Sequence, residues 1–390
     1  MEYIIIIIML IYGIVMYDFK GRGDRNGSYY NIVYVLMVLM SGLAYRVGSD
    51  LVDYETSYYL DFKDGQTYKI GDLLNITRSQ PGWILLSTFV YKTGASFTIF
   101  KLIQAFFFQY AVFSTIKKYT AYKYTALLLF FVYLFPHANF NVLRESFAIG
   151  FFLLSIPHLL NRNWIKYYIY IFFAFMFHSG AALLFFCPLV FYIDFSSTRK
   201  VIVIAAVFFV LSLLAARSDL TNMYMSLVYS TGSAGLIEQS EFYLLEDRYA
   251  LTGVTNIFKS LLFFLIEILP LYYVVKKGSE GNKRIIPLAF MYIIVSLISN
   301  FVPIMYRYKD YTYLLFFLTL STFLVDFSNK HLLKRGVLPV VLLFSLYFYS
   351  VRSYFAVNEY YEEPAWIQYY PYHSVIDKGK SPARERTFYN

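Results

Sequence analysis

Long apolar runs recur along almost the whole chain, and no other feature constrains its fold so tightly. The clearest cover residues 3–17, 29–46, 97–116, 122–137, 141–160, 164–178, 180–194, 201–216, 253–275, 285–304, 310–326 and 336–351. A helix needs about 20 predominantly apolar residues to cross a hydrocarbon core of ~30 Å, and shorter runs complete the crossing with interfacial aromatics. The runs do not alternate with period two, so they do not describe barrel strands. Hydrophobic residues make up 58% of the 390 and charged residues only 15%, more apolar surface than one soluble core can hide. The expectation is an all-α, polytopic integral membrane helix bundle of about 11–13 hydrophobic segments.

Within that frame the remaining composition takes on a membrane meaning. The 41 Tyr and 40 Phe suit interfaces and lipid contact respectively, although Tyr also offers flat faces and hydroxyls to sugars. A net charge of +9 would suggest nucleic acid in a soluble protein, but no nucleic-acid module is recognisable and much of the excess sits in short loops. Membrane lipids are therefore the expected partners of the basic loops, and nucleic acid is not. The single Cys187 leaves no intrachain disulfide and no cysteine-based metal site. The first run lacks a preceding basic region and a following small-residue cleavage site, so it is read as a retained helix.

The basic loops set an orientation. Lys117, Lys118 and Lys123 share one loop; Arg162 with Lys166, Arg199 with Lys200, Lys276 to Arg284, and Lys330 to Arg335 mark others. These alternate with loops near Arg144, His178, 217–252 and Arg307 that carry far fewer basic residues, which places the basic set in the cytoplasm. Lys20, Arg22 and Arg25 put the first loop inside as well. Segment 81–91 then cannot cross and is expected to be re-entrant or interfacial. The expected division is a transmembrane domain over 1–352, with outer-face segments 47–80 and 217–252, followed by an extracytoplasmic tail over 353–390.

Ionisable groups in or beside membrane helices are costly, on the order of 2.5–3.5 kcal/mol each at a helix centre, so each needs a reason. Arg46, Arg144, Arg248, Arg307 and His178 all fall at the outward ends of the helices. If the second helix continues, Arg46, Asp50, Asp53 and Tyr54 share a face at i, i+4, i+7 and i+8; the alternative is a helix end with a local ion pair. Arg144 opens a helix, where a guanidinium and a helix N-terminus together suit phosphate. Arg144 and its neighbour Glu145 point about 100° apart and need not pair with each other. His178, in Phe177-His178-Ser179-Gly180, is either a hydrogen-bonded structural residue or a base kept neutral by nearby cations. Glu267, three residues before Pro270, is read as structural. The histidines lack zinc-like spacing, and neither a Walker loop nor a dinucleotide fingerprint is present, so no metal and no cofactor is expected.

The succession Arg46-x-Gly48-x-Asp50-x-x-x-Tyr54, Pro81-Gly82-Trp83, Leu143-Arg144-Glu145-x-x-Ala148 and Phe177-His178-Ser179-Gly180-Ala181 resembles the EpsG family, which includes Wzy-type polymerases of O-antigen and capsule repeat units. Tyr370-Pro371-Tyr372 also resembles the family's ending. The resemblance covers most of the chain; it departs at Glu145, where Gln is frequent, and at Ser49, which replaces a common Thr. It implies a glycosyltransferase of GT-C-like architecture in the bacterial cytoplasmic membrane, its site facing the periplasm or cell exterior. Such an enzyme joins undecaprenyl-diphosphate-linked oligosaccharides, as donor and acceptor, into O-antigen, capsule or exopolysaccharide. A chain-length regulator and a flippase are its implied partners.

Glycosyl transfer from a lipid diphosphate needs cations for the departing diphosphate, a base for the acceptor hydroxyl and aromatic faces for sugars. With no clear metal site, arginine is expected to serve: Arg46, Arg144 and Arg307, with Arg248 as a fourth. His178 is the expected base, Asp50 its alternative as base or orienter, and Asp53, Tyr54 and Glu145 position substrate. Two other readings use the same outer cations. One is a flippase or transporter of the lipid-linked oligosaccharide, disfavoured by the lack of repeated halves; the other is a membrane glycan acyltransferase, for which no acyl-donor site is evident.

Overall fold

The computed structural model describes residues 2–21, 27–63, 80–193, 197–216, 254–277, 284–299, 307–330, 354–355, 357–358 and 363–388, with 225–226, 229–230, 237 and 241. Arg248, most of 217–252, and the expected run 336–351 lie outside these residues. The chain divides into two compact units, one of Met1–Phe185 with Leu324–Asn390, the other of Phe186–Phe323.

In the first unit, α1 (Glu2–Gly13) runs into a π-helical stretch at Ile14–Phe19, followed by α2 (Ser28–Gly42), α3 (Leu51–Lys63) and α4 (Pro81–Lys92). Then come α5 (Phe97–Tyr119), α6 (Lys123–Tyr133), a π-helical turn at His137–Asn141, α7 (Leu143–Leu160) and α8 (Trp164–Phe177). Residues Ser179–Tyr192 wind as a 3-10 helix. At about 2.0 Å per residue, these 14 residues reach roughly 28 Å, which lets a short apolar run approach the thickness of a bilayer core. The second unit is built on α9 (Thr198–Ala216), α10 (Val254–Lys277), α11 (Ile286–Ser299) and α12 (Tyr308–Lys330), whose last residues belong to the first unit. The C-terminal segment adds a two-residue antiparallel pairing of Val357–Asn358 with Glu363–Pro364, a 3-10 turn at Ala365–Gln368 and α13 (Pro382–Phe388).

Four of the described helical stretches are long and apolar enough to cross a membrane: Glu2–Phe19, Phe97–Tyr119, Leu143–Leu160 and Tyr308–Ser328. Helix α8 adds a different argument. Tyr167, Ile171 and Ala174 are fully buried on one face, while Ile165, Ile169 and Phe172 are exposed on the other. A helix apolar on both faces is stable only where its outer face meets lipid. The protein is a multi-pass membrane protein, and its described residues are all-α apart from a short hairpin.

Helix ends follow local chemistry. Pro81 opens α4, where its missing N–H costs nothing, and Lys117 and Lys118 close α5 at the negative end of its dipole. Asn163 caps α8 by accepting the Lys166 backbone N–H. Ring stacking of Phe147 and Phe151 on Phe177 ties α7 to α8. In the second unit, Glu267 of α10 accepts the hydroxyls of Tyr292 (3.1 Å) and Ser296 (2.9 Å) from α11. The carboxylate therefore pins two helices together, a structural role exerted through side chains of the neighbouring helix.

Candidate functional site

The chain leaves α2 at Gly42 and does not continue as helix to Tyr54. Arg46 (φ 51°) and Gly48 (φ 88°) both adopt left-handed backbone, which breaks the helix and restarts it at Leu51. The shared face expected for Arg46, Asp50, Asp53 and Tyr54 is therefore absent, and Arg46 sits on a loop. Gly48 is obligatory there: a Cβ would lie 2.6 Å from the Phe140 carbonyl and would also overlap the Asn141 side chain.

The C-terminal segment holds this loop. The backbone N–H groups of Tyr45 and Gly48 donate to the carbonyls of His373 (2.9 Å) and Gln368 (2.7 Å), and that of Val375 donates to Leu43 (2.9 Å). Arg384, 1% exposed, spreads its guanidinium over the carbonyls of Arg46 (2.7 Å), Ile367 (3.1 Å) and Pro371. The Arg46 side chain in turn makes a two-point ion pair with Glu385, at 2.7 and 2.5 Å. The local ion pair foreseen at the helix end is thus made with the distant tail.

A second group forms on the first turn of α7. Arg144 Nη1 donates to Gln80 Oε1 (3.2 Å), and its guanidinium stands 5.7 Å from the centre of the Tyr54 ring. Tyr54 packs on Trp83 with centroids 5.0 Å apart. Gly82 lets α4 come this close: a Cβ there would lie 2.8 Å from the Met176 carbonyl at the end of α8. One residue beyond Arg144, Glu145 turns the other way, 2% exposed, with Oε2 4.0 Å from His178 Nε2. A carboxylate thus lies beside His178, a neighbour additional to the cations expected around it.

Electrostatics link these groups. Burial raises the Tyr54 phenol above its ordinary value while Arg144 opposes that, and Asp50 and Glu145 lie within range of the same ring. Asp50 accepts the Ser49 hydroxyl at 2.7 Å. Partial burial and the nearby Asp50 raise the Asp53 carboxyl, and burial raises that of Glu55 against the pull of Arg46 and Lys378. The first unit thus gathers Arg46, Asp50, Asp53, Tyr54, Arg144, Glu145 and His178 around loop 43–50 and the start of α7. Arg307 stands just ahead of α12 in the second unit, and Arg248 is outside the described residues. Among the described residues no three His, Cys, Asp or Glu side chains converge as a metal-ligand set.

Beneath the site lies a buried polar network that the sequence reading passed over. Lys101, 1% exposed within α5, donates to the Asn139 carbonyl and to Gln104 Oε1 (3.4 Å). Gln104 reaches Ser146 (2.6 Å), while Ser41 (2.6 Å) and Gln109 (3.1 Å) both donate to Asn139 Oδ1. These bonds fix the π-helical turn that hands the chain from α6 to Arg144. A lysine and two glutamines inside one apolar run were the signal available for it. Arg384 and Glu385 gave no comparable signal, because the contacts that tie them to Arg46 reach back 338 and 339 positions.

These features define a multi-pass helical membrane protein whose polar side chains collect on one loop and on the start of the helix it touches. Residues 27–374 match the family model described as the EpsG family, and the chain belongs to that family. No curated protein and no solved structure matches the chain. Membership and the membrane helix bundle together support a general, glycosyltransferase-like role in polysaccharide polymerisation at the membrane.

Proposed function

We propose that the protein polymerises undecaprenyl-diphosphate-linked oligosaccharide repeat units, with a GT-C-like architecture and without a metal ion, at the outer face of the bacterial cytoplasmic membrane. The carrying observation is the first turn of α7, which presents Arg144 on one side and Glu145 against His178 on the other. The alternation of basic loops supports the outward orientation.

In this reading Arg144 is the leading diphosphate ligand. Its side-chain partners are a neutral amide and an aromatic face, and the N-terminus of α7 adds positive potential. Arg46 is the second proposed cation, and it must exchange its Glu385 partner for phosphate oxygens to serve. The acceptor hydroxyl oxygen bonds to the donor's anomeric carbon as the bond from that carbon to phosphate breaks, and the lipid diphosphate departs against the guanidinium groups. His178 takes the hydroxyl proton, oriented by Glu145. Asp50 is the alternative base, and Asp53 and Tyr54 help to seat the sugars.

The test is reconstitution with a defined lipid-linked repeat unit. Wild type should lengthen the glycan, Arg144→Ala and His178→Ala should leave single units, and Arg144→Lys should recover only part of the activity. Lipid movement without new glycosidic bonds, or acyl transfer, would overturn the reading. Full-length polymer from His178→Ala would move the base role to Asp50.

A further inference from the structure

The first unit contains a long apolar groove, separate from the polar site, with a cavity volume of about 640 Å³. That is within the ordinary range of ligand pockets, roughly 300–1,000 Å³. One wall is a single stripe of α1 and its π-helical continuation, with Tyr3, Ile7, Ile11 and Ile14 at helical spacing and Phe19 at the end of the π-helical stretch. The facing wall is α6, where Thr125, Leu128, Leu129 and Val132 repeat at i, i+3, i+4 and i+7. From Tyr3 to Phe19 the stripe is roughly 24 Å long at ~1.5 Å per residue, most of the depth of a hydrocarbon core.

Several hydroxyls of the lining are already satisfied by protein acceptors. Tyr3 donates to the Tyr369 carbonyl (3.0 Å), Tyr354 to the Val132 carbonyl (3.1 Å) and Thr125 to Asp18 (2.8 Å). The groove is left with aromatic and aliphatic faces, and its rim is open at Ile11, 48% exposed. A hydrocarbon chain lying in the plane of the helices fits such a surface, and a sugar does not.

One end of the groove reaches the polar site. Tyr369 lines the groove, and its hydroxyl accepts from Asn141 at 2.9 Å. The preceding residue, Gln368, accepts the Gly48 N–H through its carbonyl, and Asn141 abuts Gly48 directly. Tyr369 and Asn141 thus link the end of the groove to loop 43–50, so a lipid with its diphosphate at that loop has its headgroup beside the start of an apolar surface that runs down α1.

We infer that the groove between α1 and α6 is the binding site for the polyprenyl tail of a lipid diphosphate. The inference rests on the proposed headgroup chemistry and adds to it where the tail lies and which residues measure its length. The groove selects for chain length, because a short tail leaves its far end, at Phe19 and Thr125, unfilled.

The test uses full-length protein in vesicles of bacterial-type phospholipids and a diazirine-tagged long-chain polyprenyl diphosphate. Label should fall on α1 and α6 peptides holding Ile11 and Val132, and untagged polyprenyl diphosphate should displace it. Ile14→Trp, toward the far end of the groove, should remove the label. In the turnover assay it should lower kcat/KM on the order of tenfold for a long-chain donor while leaving a two-isoprene donor within about twofold. Label elsewhere, label that the untagged compound does not displace (a groove filled by bulk phospholipid), or an equal loss for both donors would overturn the inference. Competed label at the groove in a protein that makes no polymer would sustain the tail site and overturn the polymerase reading instead.

Discussion

Arg46 and Glu385, 339 positions apart, close on each other through two hydrogen bonds of 2.7 and 2.5 Å. The pair joins the loop after α2 to the last described helix, and both side chains are largely shielded from solvent, at 14% and 20% exposure. A carboxylate thus occupies the two donor positions that a phosphate would take in a bidentate contact. The tail thereby becomes both a brace for the loop and a competitor for its cation.

Glu385→Gln separates those two roles because they respond in opposite directions. Losing a well-aligned, mostly shielded ion pair should destabilise the protein by about 1–3 kcal/mol. Removing the competing charge should at the same time tighten binding of a lipid diphosphate by a few fold. Thermal unfolding in detergent, together with a binding isotherm for polyprenyl diphosphate, checks both. A lower Tm with weaker binding would mean that Arg46 serves only the fold.

Arg384→Lys is not a conservative change. The planar guanidinium reaches three carbonyls, those of Arg46, Ile367 and Pro371, whereas an ammonium on a flexible stem cannot match that fork. Leaving buried carbonyls without donors costs about 1–3 kcal/mol. The expected outcome is a lower Tm and faster proteolysis between residues 365 and 388, with cleavage elsewhere unchanged.

Much of the helical framework was legible because bilayer burial is written as length and apolarity: apart from α3 and α13, the described helices begin and end within a few residues of the apolar stretches. The residues at Arg144 and His178 were legible for a related reason, since charge at a helix end in an apolar chain stands out. Their pairing was not. Whether His178 meets an arginine or Glu145 depends on how α7 and α8 are rotated about their axes, which tertiary packing decides. The loop after α2 left two readings open for a local reason: Arg46, Asp50 and Asp53 carry charges at helical spacing, but the left-handed backbone at Arg46 and Gly48 removes the helix. Arg384 and Glu385 carried no sequence signal of their roles because the loop residue they both hold, Arg46, lies hundreds of residues upstream.

Lys101→Met should harm activity more than stability. Methionine fills similar space and takes a charged group out of the interior, which offsets part of the loss of its bond to Asn139. The π-helical turn at His137–Asn141 nevertheless loses its tether to α5, and Arg144 follows directly after it. A Tm near that of wild type with glycan output lowered on the order of tenfold is expected, since small misplacements in a site cost about that much or more. Equal loss in both measurements would make Lys101 a general core residue.

Glu55 supplies a pH signature. Burial raises its carboxyl above the ordinary 4.5, although Arg46 and Lys378 oppose the shift. Its charge is therefore more costly in the folded than in the unfolded chain. The associated stability is fully present below pH 4.5 and is lost as pH rises through the folded-state value. Glu55→Gln should be more stable than wild type at pH 7, and that advantage should shrink as pH falls toward 4.5. Thermal unfolding of both proteins across this range checks the sign, and an advantage that grows on acidification would contradict it.

Glu145→Gln asks whether the carboxylate beside His178 acts on the imidazole or merely fills space. The substitution preserves size and hydrogen bonding but removes the charge 4.0 Å from His178 Nε2. If Glu145 orients His178 as it accepts a proton and stabilises the cation that forms, kcat should fall by about two orders of magnitude with KM little changed. The pH dependence of kcat should move with it, because the charge that favours the protonated ring is gone. Glu145→Asp, which keeps the charge on a shorter arm, should recover part of the rate. A structural carboxylate would give the opposite pattern: a lower Tm in both variants, an unmoved pH profile and no partial rescue by aspartate.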